Sequence, residues 1–298
     1  MLTVADLIVL VYCIVDDLLM SHLGNRRLRR RGFAPGLRDS EVLTMEIVGE
    51  ILGLDSDKEI YAYFVRHWAA WFPALKCRTT FVRQAANLWA IKLALQAVLA
   101  EALGAFDNDI HIVDGLPIPI CTLTRASRSK CLQGDAAFGY CAAKDMHYFG
   151  LKAHLVIDSR GIIAGCAVTP ANVDEREAAW ESLDLAVSGT LLGDKGYISA
   201  RFKEELTARG IDLRTPVRCN MKPVESSGET NALCRMRRLV ETVGSQLCEQ
   251  FNIQVMRARD AWHATSRIAR KVLAHTVQVF INCKLGRALL PSEGLLVG

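Results

Sequence analysis

Near residue 107 the sequence changes its hydrophobic period, and that change limits the fold more than any other feature. From Asp39 to Ala100 apolar residues recur in steps of three and four, as Val42, Met45, Val48 and Leu52 do. This is the period of helices with one buried side. Asp39-Ser40-Glu41 and Asp55-Ser56 read as helix starts and Gly53 as a C-cap. Arg78-Thr79-Thr80-Phe81 opens a long third helix through Trp89, Leu93 and Leu99. Strand signals then take over. Residues 109–114 predict a short buried strand, ended by Gly115 and the breakers Pro117 and Pro119. Residues 122–145 are polar and basic and read as a long loop. From His147 to Ile157 the chain alternates, with Phe149, Leu151, Ala153, Leu155 and Ile157 on one face and Tyr148, Lys152 and His154 on the other. A turn at 158–161 leads to a return strand, 162–168. An acidic helix follows from about 174 to 187, then a strand at 190–193, a helix at 199–209 and a strand at 211–215. Two long helices, 231–251 and 262–284, complete the pattern. The order predicts an α/β fold, a mixed sheet with helices on its faces, preceded by an all-helical region.

Composition excludes several classes. The chain has 298 residues, 51% hydrophobic and 23% charged, which is too apolar and too evenly charged for a disordered protein. The apolar run Leu7–Val15 has nine residues, against roughly 20 for a membrane span. It lacks the basic lead of a signal peptide, so a cytoplasmic protein with no membrane partner is expected. Ten cysteines occur without a CxxC pair, which fits a reducing compartment and gives no zinc-site spacing. The net charge of +4 permits a nucleic-acid partner without requiring one. The run RRLRRR at 26–31 is either a solvated face or a phosphate-contacting segment.

Three carboxylates stand out by position. Asp114 and Asp194 each follow a strand, at the carboxyl end where open α/β sheets place their sites. Glu241 lies in the long helix, just off the apolar stripe Leu233, Met236, Val240, Val243, Leu247 and Phe251. Singly, the aspartates can be turn residues, and Glu241 can pair with Arg237 or Arg238. Together they can converge. Clustered carboxylates repel unless a cation lies between them, and hard oxygen donors with open positions suit Mg²⁺.

At this point the sequence resembles a known family. The words IVDGLPIP, GYCAAKDMHYFGLKAHLVID, VTPANVDERE, LLGDKGY and RRLVETVGSQL resemble those of DDE transposases of bacterial insertion sequences, and among them the insertion-sequence 982 family. The stretches DSEVLTMEIVGEILGLDSDKEIYAYF and RTTFVRQAANLW resemble the helical region before the catalytic core of the same group. The spacings are 80 residues from Asp114 to Asp194 and 47 from Asp194 to Glu241, which suit a compact core. The resemblance implies a ribonuclease H-like fold and two Mg²⁺ ions, with Mn²⁺ as an alternative. Asp114 would bridge both ions, with Asp194 on one and Glu241 on the other. The implied reaction is hydrolytic nicking at the element's ends, followed by attack of the freed 3′ hydroxyl on target DNA. The implied partners are the terminal inverted repeats, target DNA and further copies of the chain, in a nucleoid-associated bacterial setting.

Arg237 matches the arginine of the tyrosine–arginine–glutamate–lysine signature of related families. Cys234 and Cys248 stand at its tyrosine and lysine positions. Gly244 stands where relatives often carry a bulky residue, and it weakens the helix by about 1 kcal/mol against alanine. A catalytically degenerate or repurposed DNA-binding protein, and a two-metal nuclease that cuts without joining, are the alternatives.

Further residues are candidates for DNA contact: Arg125 and Arg128 in the basic loop, Lys195 beside Asp194, Arg237 and Arg238 beside Glu241, and the basic cluster at 257–271, which can face DNA. Lys152 and His154 read equally as phosphate contacts or as a solvated strand face. Asn172 and Asp174 read as a cap for the acidic helix. The sequence divides into a helical DNA-binding region, 1–105, a catalytic domain, 106–285, and a tail, 286–298.

Overall fold

The computed structural model describes residues 2–24, 26, 28–29, 34–141, 145–183, 187–216, 227–290 and 295, with 227–235 described by backbone only. Arg27, Arg30 and Arg31 of the arginine run, Lys144 of the basic loop and the Cys234 side chain lie outside the described residues. Two compact units form. One comprises Met1–Leu99, Glu249–Ile253 and Arg257–Gly298; the other comprises Ala100–Cys248 and Gln254–Met256.

The first unit is helical: α1 (Val4–Leu23), α2 (Asp39–Ile51), α3 (Asp57–His67), α4 (Arg78–Asn87), most of α5 (Trp89–Ala102) and α10 (Ala261–Lys284). Local chemistry sets the starts. Thr3 and Asp6 form a capping box for α1, and Ser56 and Glu59 form another for α3. The single long helix expected from Arg78 is two helices, with Leu88 between them. Helix α10 packs on α2 and α4, so this unit gathers the end of the chain as well as its beginning.

Ile268, Val272, Leu273, Val277 and Ile281 of α10 are buried, and the cations buried with them are matched by acids of α2 and α3. Lys92 Nζ meets Glu46 at 2.7 Å, and Lys271 Nζ meets Glu50 at 2.8 Å. Arg270 reaches Glu50 at 2.5 Å, Asp57 at 2.6 Å and Glu46 at 3.4 Å, while Arg267 takes the other Asp57 oxygen at 2.6 Å. Arg270 and Lys271 are each 1% exposed. These cations hold α10 in the core, and Arg270 and Lys271 do not face DNA, as the basic cluster at 257–271 suggests in sequence. In the arginine run, Arg29 is paired with Asp39 at 2.5 Å. Among the described residues no helix is long and apolar enough to cross a membrane.

The second unit is α/β. Its strands are β1 (Ile110–Thr122), β2 (Ala137–Cys141), β3 (Met146–Asp158), β4 (Ile163–Pro170), β5 (Gly189–Leu192) and β6 (Ile211–Arg214). Its further helices are α6 (Leu123–Ala126), α7 (Glu175–Leu183), α8 (Ala200–Ala208) and most of α9 (Ser227–Glu249). The sheet runs β2-β3-β1-β5-β6, with β4 paired to β3 beside β2. Strands β1, β5 and β6 are parallel, while β3 is antiparallel to β1, β2 and β4. This is a mixed sheet with flanking helices, compatible with a ribonuclease H-like DDE domain.

Strand β1 runs eight residues beyond the predicted stop at Asp114. Beyond Ile112 it is paired to β3 but no longer to β5, so Pro117 and Pro119 sit in a strand with one open edge, where the missing N–H is tolerated. Part of the expected loop is instead α6 and the edge strand β2. Both faces of β3 are covered, so the face read as solvated is interior.

Candidate active site

The strand register builds the site. Strands β1 and β5 pair in parallel with Ile112 opposite Leu192. Asp114 lies two residues beyond this last pair within β1, and Asp194 lies two residues beyond it just past the end of β5, so both stand at the carboxyl end of the paired segment and within electrostatic reach of each other. The backbone fixes both carboxylates. Asp114 Oδ1 accepts from Gly115 N at 2.8 Å, and Asp194 Oδ1 accepts from Gly196 N at 2.6 Å, capping a 3₁₀ turn at Lys195–Tyr197.

Asp114 is partly buried, and burial raises its pKa to about 6. The Gly115 N–H opposes the rise, the Asp194 and Glu175 charges add to it, and Arg237 opposes it. Three carboxylates therefore share one field, and one of them, Glu175, is not a residue the sequence singles out. As the first residue of α7 it lies beside Asp174, which reads as a cap and does act as one: its Oδ1 accepts from Arg176 N at 2.9 Å. The available signal was an acid in the first turn of a helix that follows a strand.

Helix α9 comes from the other side. Gly244 is buried, and a Cβ there would lie 3.7 Å from Leu116 Cδ1. Leu116 shares the Asp114 face of β1 by alternation. Arg237, four residues before Glu241, is within electrostatic reach of Asp114. Residues 237, 241 and 244 lie on one flank of α9 by helical spacing. Glu241 thus occupies the turn between two residues turned to β1, with its own side chain exposed.

The remaining candidates scatter. Lys152 is partly buried and pairs with Glu175 Oε1 at 3.1 Å. His154 is corrected: it is 0% exposed, its Nε2 shares a 2.9 Å hydrogen bond with Thr169 Oγ1, and burial lowers its pKa to about 4. It is a neutral core residue that cannot reach a phosphate. Arg125, Arg128, Lys195 and Arg238 are exposed. Tyr197 is 0% exposed, and its hydroxyl has no hydrogen-bond partner among the described residues. Burial raises its pKa, and the charges of Glu175, Asp114, Asp194 and Asp174 raise it further.

Among the described residues no three His, Cys, Asp or Glu close on a point as a ready ligand set for a metal ion. The donor chemistry nevertheless fits a hard divalent cation: carboxylate oxygens crowd at the strand ends, and one of them has a raised pKa.

Residues 105–261 match the transposase DDE domain family, over more than half the chain, and the chain belongs to that family. The matched segment contains Asp114, Glu175, Asp194 and Glu241 and stops where α10 begins. No curated protein matches the chain at a significant level. Membership makes the protein a transposase-type nuclease whose partner is DNA, in a family that is generally dependent on divalent metals.

Proposed function

We propose that this protein cleaves DNA at the ends of an insertion sequence and joins the freed 3′ ends to target DNA, as a member of the insertion-sequence 982 family with a ribonuclease H-like core. The observation that carries this reading is that Asp114 and Asp194 both lie at the carboxyl end of the paired β1–β5 segment, inside the segment that matches the DDE domain. Asp114, between the Asp194 strand and the α9 flank, would serve both of two Mg²⁺ ions, Asp194 one and Glu241 the other. Such ions supply an activated attacking oxygen and stabilise the leaving one. The chain's own groups do the rest. The Gly115 and Gly196 N–H groups orient the aspartates. Arg237 adds positive charge beside Asp114 for the scissile phosphate. Exposed Arg125, Arg128, Lys195 and Arg238 offer phosphate contacts that are sensitive to salt. The helical region before residue 105 is read as the DNA-end binding part, residues 106–285 as the catalytic part and 286–298 as a tail. Joining two ends to one target requires several copies of the chain on DNA.

The test is a strand-transfer assay on a labelled terminal inverted repeat with Mg²⁺. Wild type gives joined product. Asp114→Ala, Asp194→Ala and Glu241→Ala each bind the end but give no cleavage. Full activity in one variant removes that residue from the site, cleavage without joining makes the protein a nuclease, and binding without cleavage by wild type makes it a DNA-binding protein.

A further inference from the structure

Glu175 is the acid of this cluster that the proposed mechanism leaves unused, and its two oxygens have different surroundings. Oε1 meets Lys152 Nζ at 3.1 Å and lies 3.2 Å from where a Cβ on Gly115 would stand. Oε2 crowds the open side of Gly196, where a Cβ would overlap it and come within 2.9 Å of Asp194 Oδ1. Gly115 follows Asp114 and Gly196 lies two residues after Asp194. The lack of a side chain at each lets the Glu175 carboxylate come in beside both aspartates. A second observation points the same way from another side chain. The Tyr197 hydroxyl, fully buried and without a partner among the described residues, stands in the field of Glu175, Asp114 and Asp194. A phenol in that position has an O–H to donate to a ligand held by these acids.

Resting on the metal-dependent reading above, we infer that Glu175 is an additional carboxylate for the divalent cation at Asp194, and that Lys152 competes with the cation for it. With Lys152 on Oε1 the acids do not close on one ion. Exchange of the ammonium for a divalent cation lets Glu175 turn toward Asp194 and leaves Lys152 free beside the strand ends, where a phosphate would lie. One carboxylate thereby links cation occupancy to the release of a positive charge.

The test is Mn²⁺ binding to the full chain, without DNA, by electron paramagnetic resonance of free Mn²⁺. Glu175→Gln weakens binding by about 10-fold, the scale of losing a supporting ligand group. Lys152→Met tightens it by up to about 5-fold, the worth of a partly exposed ion pair, and this gain vanishes in the double variant. Unchanged affinity in Glu175→Gln overturns the inference. So does weakening by Lys152→Met, which would make the pair merely structural. Asp114→Asn separates the two levels. If it leaves Mn²⁺ binding intact, the metal reading itself fails; if it abolishes binding while Glu175→Gln does not, only the role of Glu175 fails. Far-UV circular dichroism checks folding, and Glu175→Asp, which keeps part of the affinity, carries the test if the glutamine variant unfolds.

Discussion

In the helical unit Glu46, Glu50 and Asp57 meet Lys92, Arg267, Arg270 and Lys271; in the α/β unit Glu175 pairs with Lys152, and Asp114 feels the charges of Asp194, Glu175 and Arg237. Both clusters contain three carboxylates, yet Asp57 in one and Asp114 in the other are shifted in opposite directions. Asp57 is held down at about 2: Arg270 and Arg267 outweigh the burial that would raise it. Asp114 is pushed up to about 6, because burial and like charges outweigh Arg237 and the Gly115 N–H. A set of buried acids matched by its own cations works as structure. A set left short of positive charge is costly for the fold and becomes useful when the cation comes from outside.

The first way to break this comparison is to remove the central arginine. Arg270→Met leaves Glu46, Glu50 and Asp57 with too few partners, and the helical unit loses roughly 3–5 kcal/mol, as buried pairs do when one side is deleted. Urea denaturation measures it, and a loss below 1 kcal/mol would make the network incidental.

The second change carries the opposite sign. Asp114→Asn abolishes cleavage but stabilises the metal-free protein at pH 8 by about 2–3 kcal/mol, from the rise of its pKa to about 6. Between the unfolded value of 3.8 and about 6 the folded state holds the extra proton, so the wild-type carboxylate loses stability as pH rises through that window. The gain from asparagine is therefore full above pH 6 and gone below pH 4. Comparing variant with wild type at each pH cancels His154. Its pKa of about 4 makes the fold lose stability as pH falls from 6.5. A gain that does not vary with pH would refute the charge argument.

A smaller effect is expected at Gly196. Gly196→Ala pushes the flexible end of Glu175 away from Asp194, costs no more than about 1 kcal/mol and weakens Mn²⁺ binding. Calorimetry and Mn²⁺ titration read the two losses. The smallest concerns Gly244, where a methyl group meets Leu116 at ordinary contact distance. Gly244→Ala raises stability by up to about 1 kcal/mol with activity retained, which a thermal melt can resolve.

Much of the α/β unit is legible in the sequence, because strand alternation and strand-end aspartates are local signals. Strand β3 and both aspartates follow from them. Four things were not legible. The course of β1 past its prolines depends on β5 ending at Leu192, a fact of pairing rather than of residue preference. Strand β2 escaped notice because its large apolar residues, Phe138 and Tyr140, are exposed, while its inner side carries only the small residues Ala137, Gly139 and Cys141. The buried Arg270 and Lys271 look like a DNA-facing patch until the acids of α2 and α3 are seen to meet them. Glu175 was hidden by its neighbour: Asp174 fulfils the capping role, and nothing local shows that the next residue turns to another strand.

The parallel pairing of β1 and β5 has a consequence for the order of events during synthesis. Asp114 and Asp194 are 80 residues apart, and a parallel pair cannot form until the whole crossover between them has been made and wound back onto the sheet. A nascent or truncated chain that ends before β5 holds only half of the aspartate pair. A centre that needs both aspartates can therefore form only after β5 has been synthesised.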